Sequence, residues 1–178
     1  YSLNADRRPD LRGKILDGSF QRKDCPKCDN EFRLDPELTY VDVGRGQWIG
    51  AFPISKRPQW PQIEEQARAA FNKAYGERAS AAAREIGATL KPRVTFGWTG
   101  LAEKLLAREN ELDDVILELT KTAMLRGMEK PPFGIGTELR LAMVEEERLT
   151  FGWLTEAKGD LREMVRVPRA LCSRNTTG

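Results

Sequence analysis

From Phe20 to Phe52 apolar and polar residues alternate around turn residues, the period of strands; from Ile63 onward apolar positions fall three and four apart, the period of helices. Three strands are expected in the first stretch: Glu31 to Leu34, Tyr40 to Val43 and Gln47 to Phe52, the last two joined through Gly44, Arg45 and Gly46. Together they predict one small antiparallel sheet. Ahead of it Pro9 and Asp10 open, and Gly18 closes, a short helix over residues 9 to 17, with Leu11, Ile15 and Leu16 on one face and Gly13 weakening it. Past a loop bracketed by Pro53, Pro58 and Pro61, the spacing of Ile63, Ala67, Ala70, Phe71 and Ala74 predicts a surface helix reaching Ile86. Gly76 is placed to divide it and Gly87 to end it.

Arg93 to Trp98 is expected as a strand feeding a helix over Leu101 to Arg108. A second helix carries Leu112, Val115, Ile116, Leu119 and Ala123 on one stripe and closes at Gly127. Pro131, Pro132, Gly134 and Gly136 mark a loop; Thr137 to Glu145 and Arg148 to Leu154 a hairpin; Met164 to Val167 a last strand. The class is α+β: a small zinc-ribbon-like antiparallel sheet module joined to an antiparallel sheet covered by helices. The module spans residues 1–56, a helical connection 57–90, and an α+β part 91–178 that forms one compact unit with the first.

The four residues Thr95-Phe96-Gly97-Trp98 recur as Thr150-Phe151-Gly152-Trp153. Trp98 and Trp153 could wall a binding groove, but the preferred reading makes both copies core strands whose glycine admits a close neighbour.

With 178 residues and 40% hydrophobic content the chain can bury a core without disulfides. Lys and Arg number 29 against 27 acidic residues, a net charge of +2 that names no partner. No apolar run approaches the roughly 18 residues that span a bilayer, so no membrane insertion is expected. Three cysteines, two of them in a C-x-x-C, suit reduced thiols in a cytoplasm. Asn175-Thr176-Thr177 fits a glycosylation acceptor only if the chain is exported. Histidine is absent, which removes Ser-His-Asp, Cys-His and His-metal chemistry. Gly134-Ile135-Gly136 is too short for a phosphate-binding fingerprint.

Cys25-Pro26-Lys27-Cys28 can be a redox dithiol or half of a tetrahedral zinc site. A redox pair opens a helix, whose N-terminus lowers the pKa of the attacking thiol. Here Asp29 and Asn30 suit a left-handed turn and a strand follows, so Cys25 and Cys28 are assigned to zinc. They are two ligands of the four expected. Cys172 is a third only if the last strand lies beside the first sheet; Asp24 and Asp29 are poorer donors, and a lone cysteine more often packs as a small apolar residue.

Asn4-Ala5-Asp6, Pro9-Asp10-Leu11, Leu16-Asp17-Gly18 and Cys25-Pro26-Lys27-Cys28, followed by Arg93-Val94-Thr95-Phe96-Gly97, Leu101, Glu103-Lys104-Leu105 and Leu112-Asp113-Asp114, resemble the CpXC domain family of bacteria and archaea. The resemblance implies a second C-P-x-C upstream of Asn4, so that four thiolates would share one ribbon-like site. Tyr1 opens the chain inside an expected strand, so an upstream segment is anticipated, and Asp29 stands where such knuckles commonly place glycine. The resemblance implies no reaction.

The first functional expectation is therefore a structural-zinc module that docks another protein. The second is a nucleic-acid-binding ribbon using Arg7, Arg8, Arg12, Lys14, Arg22, Lys23 and Lys27. The third is an enzyme, either a dithiol oxidoreductase or an acid/base catalyst with Asp113 and Asp114, although carboxylates there also suit a helix start.

Overall fold

Alternation along residues 38–52 builds the centre of the first sheet. In the computed structural model, which describes residues 1–131, 136–155 and 161–172, β1 (Ser2–Asn4), β4 (Leu38–Asp42), β5 (Gln47–Phe52) and β6 (Lys91–Phe96) form a mixed sheet in the order β1-β4-β5-β6. Strands β4 and β5 are antiparallel, while β1 joins β4 and β6 joins β5 in parallel. Both faces of β5 are buried, which is why it reads Trp-Ile-Gly-Ala-Phe with few polar breaks. The β4–β5 turn is closed by Gly46 at φ 64 and by Asp6, whose carboxylate accepts from Val43 N (2.8 Å) and Gly44 N (3.2 Å).

The single sheet expected over residues 20–52 does not form. Strands β2 (Arg22–Asp24) and β3 (Glu31–Arg33) pair only with each other, as a hairpin apart from β4 and β5. Their side chains are almost all exposed, so no apolar face drives them onto the larger sheet.

Helix α1 (Pro9–Leu16) stands where Pro9 and Gly18 place it. The long Ala-rich pattern is two helices, α2 (Trp60–Tyr75) and α3 (Ala81–Thr89), separated at Gly76. Gly87 does not end α3. It lies inside the helix because a Cβ there would meet Tyr75 Cβ at 2.5 Å, so its role is close packing against α2. Val41, Trp48, Ala67 and Leu90 form the core between α2 and the sheet, with Phe71, Tyr75 and Val94 packed on it.

The contact pattern divides the chain into two units, Tyr1–Ala102 and Glu103–Gly178. Helix α4 (Gly97–Glu109) begins in the first and ends in the second. The second unit holds α5 (Asp114–Gly127) and an antiparallel sheet of β7 (Thr137–Val144), β8 (Arg148–Thr155) and β9 (Leu161–Pro168), followed by a 3-10 turn at Arg169–Cys172. Leu117, Leu139, Leu141, Leu149, Phe151, Trp153 and Cys172 fill its core.

Two expectations change in detail. The α5 stripe is rotated: Leu117 and Lys121 point inward, whereas Val115 and Leu119 are exposed. The two Thr-Phe-Gly-Trp copies are not both strands. The first crosses from β6 into α4 through Gly97 at φ 72, and only the second lies within a strand, β8. Pro132, Gly134, Ile135 and the Asn175-Thr176-Thr177 tripeptide lie outside the described residues.

Candidate metal half-site and aromatic groove

The C-x-x-C turn is the tip of the β2–β3 hairpin. Cys25 N donates to Asn30 O (2.9 Å), and Cys28 N (3.4 Å) and Asp29 N (2.9 Å) both reach back to Cys25 O. Asp29 takes φ 54, the left-handed conformation that closes the turn. The Cys25 sulfur accepts the backbone N–H of Lys27, and further bonds from Cys28, which hold its thiol below the ordinary value. Donors aimed at sulfur in this way favour a thiolate, the form that binds metal. The pair therefore caps a strand reversal and opens no helix, unlike a redoxin site. Cys25 is half-buried and Cys28 exposed.

Cys172 is elsewhere. It is buried in the core of the second unit, with its thiol donating to Thr120 Oγ1 at 3.2 Å, so it packs as a small core residue. Among the described residues no third cysteine or carboxylate gathers with Cys25 and Cys28, Asp24 and Asp29 included.

The hairpin is tied down at its base. Leu34 N donates to Gln21 O (3.1 Å), Arg33 Nε to Phe20 O (2.9 Å), and Trp98 Nε1 to Leu34 O (2.7 Å). Phe20 meets the Trp98 ring edge-on at 5.6 Å, and the Arg33 guanidinium lies 4.2 Å over it. Burial, with the Arg22 charge adding to it, pushes Arg33 down to about 10. Trp98→Phe removes the N–H and weakens the cation–π contact, so it is expected to cost about 1–2 kcal/mol. Hydrogen exchange should then quicken at the Cys25 and Leu34 amides ahead of those in β5.

A second feature was not anticipated from the sequence. Between α2 and the β5–β6 face lies a groove of about 510 Å³. Trp48, Pro92, Val94 and Phe96 line the strand side, and Trp60, Glu64, Ala67, Arg68 and Phe71 the helix side; Arg57 and Arg93 flank them. The parallel register sets Trp48 opposite Pro92 and Phe52 opposite Phe96, with Gly50 opposite Val94 contributing no side chain. Trp48 is fixed edge-on against Phe71 at 5.5 Å, whereas Trp60 is 56% exposed. The spacing of Trp60, Glu64, Ala67, Arg68 and Phe71 puts them on one helical face, and this was the available signal. The parallel partner of β5 was not readable.

The N-terminal basic run does not form one free face. Arg8 pairs with Asp10 (2.8 Å), Arg22 pairs with Glu31, and Arg12 is buried. Asp113 is the N-cap of α5, accepting from Val115 N (2.9 Å) and Ile116 N (3.3 Å), and Asp114 lies 3.7 Å from Lys104. These contacts account for both carboxylates structurally.

Compared with known proteins, residues 1–121 match the family model described as CpXC protein. No curated protein and no solved structure matches the chain. The matched stretch takes in the whole first unit with both hairpin cysteines, and extends to Lys121 in α5.

Proposed function

The chain belongs to the CpXC family, and from that premise we propose that it is an interaction module in which a structural zinc clips the β2–β3 hairpin and a protein partner docks on the folded body. The observation that carries the metal half of this reading is the knuckle: two thiols at a strand reversal closed by Asp29 at φ 54, with Cys25 N on Asn30 O and Asp29 N on Cys25 O. The donor set suits zinc, since thiolates are its preferred structural ligands. Cys25 and Cys28 would hold it as two donors of four, and the other two would have to come from outside the described residues. The ion would supply cross-linking free energy to a hairpin that buries almost nothing of its own.

The docking half is supported by α5, which exposes Val115 and Leu119 one turn apart, an apolar face suited to a protein surface. Nucleic-acid binding has less support, because three of the seven N-terminal cations are paired or buried. Among the described residues no helix is long and apolar enough to cross a membrane.

The test is metal content of the full-length natural protein, purified without chelator and measured by atomic emission. About one zinc per chain is expected, falling to background in Cys25→Ser and Cys28→Ser; a metal-free wild type sinks the reading. For docking, Val115→Glu with Leu119→Glu should abolish a discrete native complex without lowering the urea midpoint, and a complex indifferent to both changes removes that surface.

A further inference from the structure

We infer that Arg22 and Arg33, brought together at the base of the β2–β3 hairpin, form a binding site for a phosphate monoester seated against Gly18. The inference rests neither on the cysteines nor on a metal at the hairpin tip.

The strand register carries it first. Arg22 stands directly opposite Arg33, and like charges facing each other across two strands destabilise the pairing. Each guanidinium is also fixed through its Nε: Arg22 Nε donates to Gly18 O (2.7 Å) and Arg33 Nε to Phe20 O (2.9 Å). These bonds bring both forks to one place. A Cβ on Gly18 would have Arg22 Nη2 and Arg33 Nη1 each at 3.7 Å, and among the described residues nothing else within 4 Å beyond its chain neighbours. Gly18, at φ 80, thus leaves an open cradle bounded by two guanidinium nitrogens. Those nitrogens can be no farther apart than twice that distance, a span that one tetrahedral phosphate bridges with N–H···O bonds of ordinary length.

The protein's own carboxylates do not complete the site. Glu31 takes Arg22 Nη1, and Asp17 Oδ1 takes Ser19 N (2.8 Å) and Ser19 Oγ (2.6 Å). Among the described residues neither bonds to Arg33, whose Nη2 is buried without a hydrogen-bond partner, while burial and the Arg22 charge both work against its ionised form. Stacking on Trp98 engages the face of the Arg33 plane, not the edge through which oxygens bind. Charge then selects among anions. A carboxylate or a phosphodiester brings one negative charge; a phosphate monoester brings close to two near neutral pH, with three acceptor oxygens for two forks.

The full chain is titrated with inorganic phosphate, O-phosphoserine, a short peptide in phosphoserine and serine forms, and glutamate, by calorimetry and by NMR of backbone and arginine Nε–H groups. Saturable binding of the phosphate probes is expected, with the Gly18 amide and the Arg22 and Arg33 Nε–H signals shifting first and affinity falling as salt rises. Phosphopeptide binding tighter than that of inorganic phosphate assigns the site to a phosphorylated side chain, and equal binding assigns it to free phosphate. Glutamate and the serine peptide should bind at least about tenfold more weakly than their phosphorylated counterparts.

Arg33→Gln and Arg22→Gln should each weaken phosphoserine about tenfold. Arg22 is exposed, so Arg22→Gln should keep the wild-type circular dichroism spectrum and serves as the decisive variant should Arg33→Gln loosen the hairpin. Glu31→Gln should tighten binding about threefold, because it frees Arg22 Nη1 from a competing anion. The inference is overturned if no phosphate probe shifts the Gly18 and arginine signals, if Arg22→Gln binds as the wild type does, if Glu31→Gln fails to tighten binding, or if glutamate matches phosphoserine.

Discussion

Replacing Glu103 by alanine is expected to lower the unfolding free energy of the second unit by about 3–5 kcal/mol, the cost of removing one partner from a buried ion cluster. The Glu103 side chain is fully buried. Its Oε1 and Oε2 each accept from Lys121 Nζ at 3.0 Å, Oε2 accepts from Arg140 Nη1 at 2.8 Å, and Oε1 accepts from Leu141 N at 2.7 Å. One carboxylate thus joins α4, α5 and β7. Without it, Lys121 and Arg140 stay buried with, among the described residues, Glu118 and Glu138 to face them, and a backbone N–H loses its acceptor.

Burial would lower the pKa of Arg140; Glu103 and Glu138 overcome this and hold it above its ordinary value. Urea denaturation of the full chain measures the loss. The exposed Glu64–Arg68 pair is the control, since removing such a pair shifts stability by at most about 1 kcal/mol. Glu103→Ala behaving like Glu64→Ala would show that the cluster is not buried as described. A Glu103→Leu, Lys121→Met double variant should lose less than the two single changes added together, because it removes the charges as well as their contacts.

Trp153→Ala is expected to cost about 3–5 kcal/mol, the range for emptying an aromatic site in a packed core. Trp153 is 1% exposed on β8, the central strand of its sheet, opposite Leu139 on β7, among Leu141, Leu149, Phe151 and Cys172. Truncation leaves a void that strands held on both sides cannot collapse to fill. The urea midpoint should fall sharply, while Trp60→Ala leaves it nearly unmoved, although the residue type is the same. Equal effects at the two positions would contradict the burial pattern.

The resemblance words are explained differently from one another once the fold is known. Asp6 closes the β4–β5 turn, Asp17 accepts from Ser19 N and Oγ, Asp113 caps α5 and Glu103 is the buried hub. These residues build the molecule, whereas Cys25 and Cys28 stand at the tip of the β2–β3 hairpin. The sequence order made the family recognisable because it records a succession of local structural devices.

What the sequence alone determined is whatever a few neighbouring residues decide. The strand at Gln47–Phe52, the break at Gly76, the Asp113 helix start and the left-handed Asp29 after Cys28 all follow from pattern and backbone sterics within a turn or two. The tertiary structure decided what distant segments do to each other. It set β6 parallel to β5 across the intervening helices and so made the groove, and it kept the cysteine hairpin off the larger sheet. It also turned α5 so that Lys121 meets Glu103 while Val115 and Leu119 face outward. Periodicity shows that a helix has an apolar side, but a buried ion pair can outweigh two apolar residues in choosing which side turns inward, and only the three-dimensional partners reveal that choice.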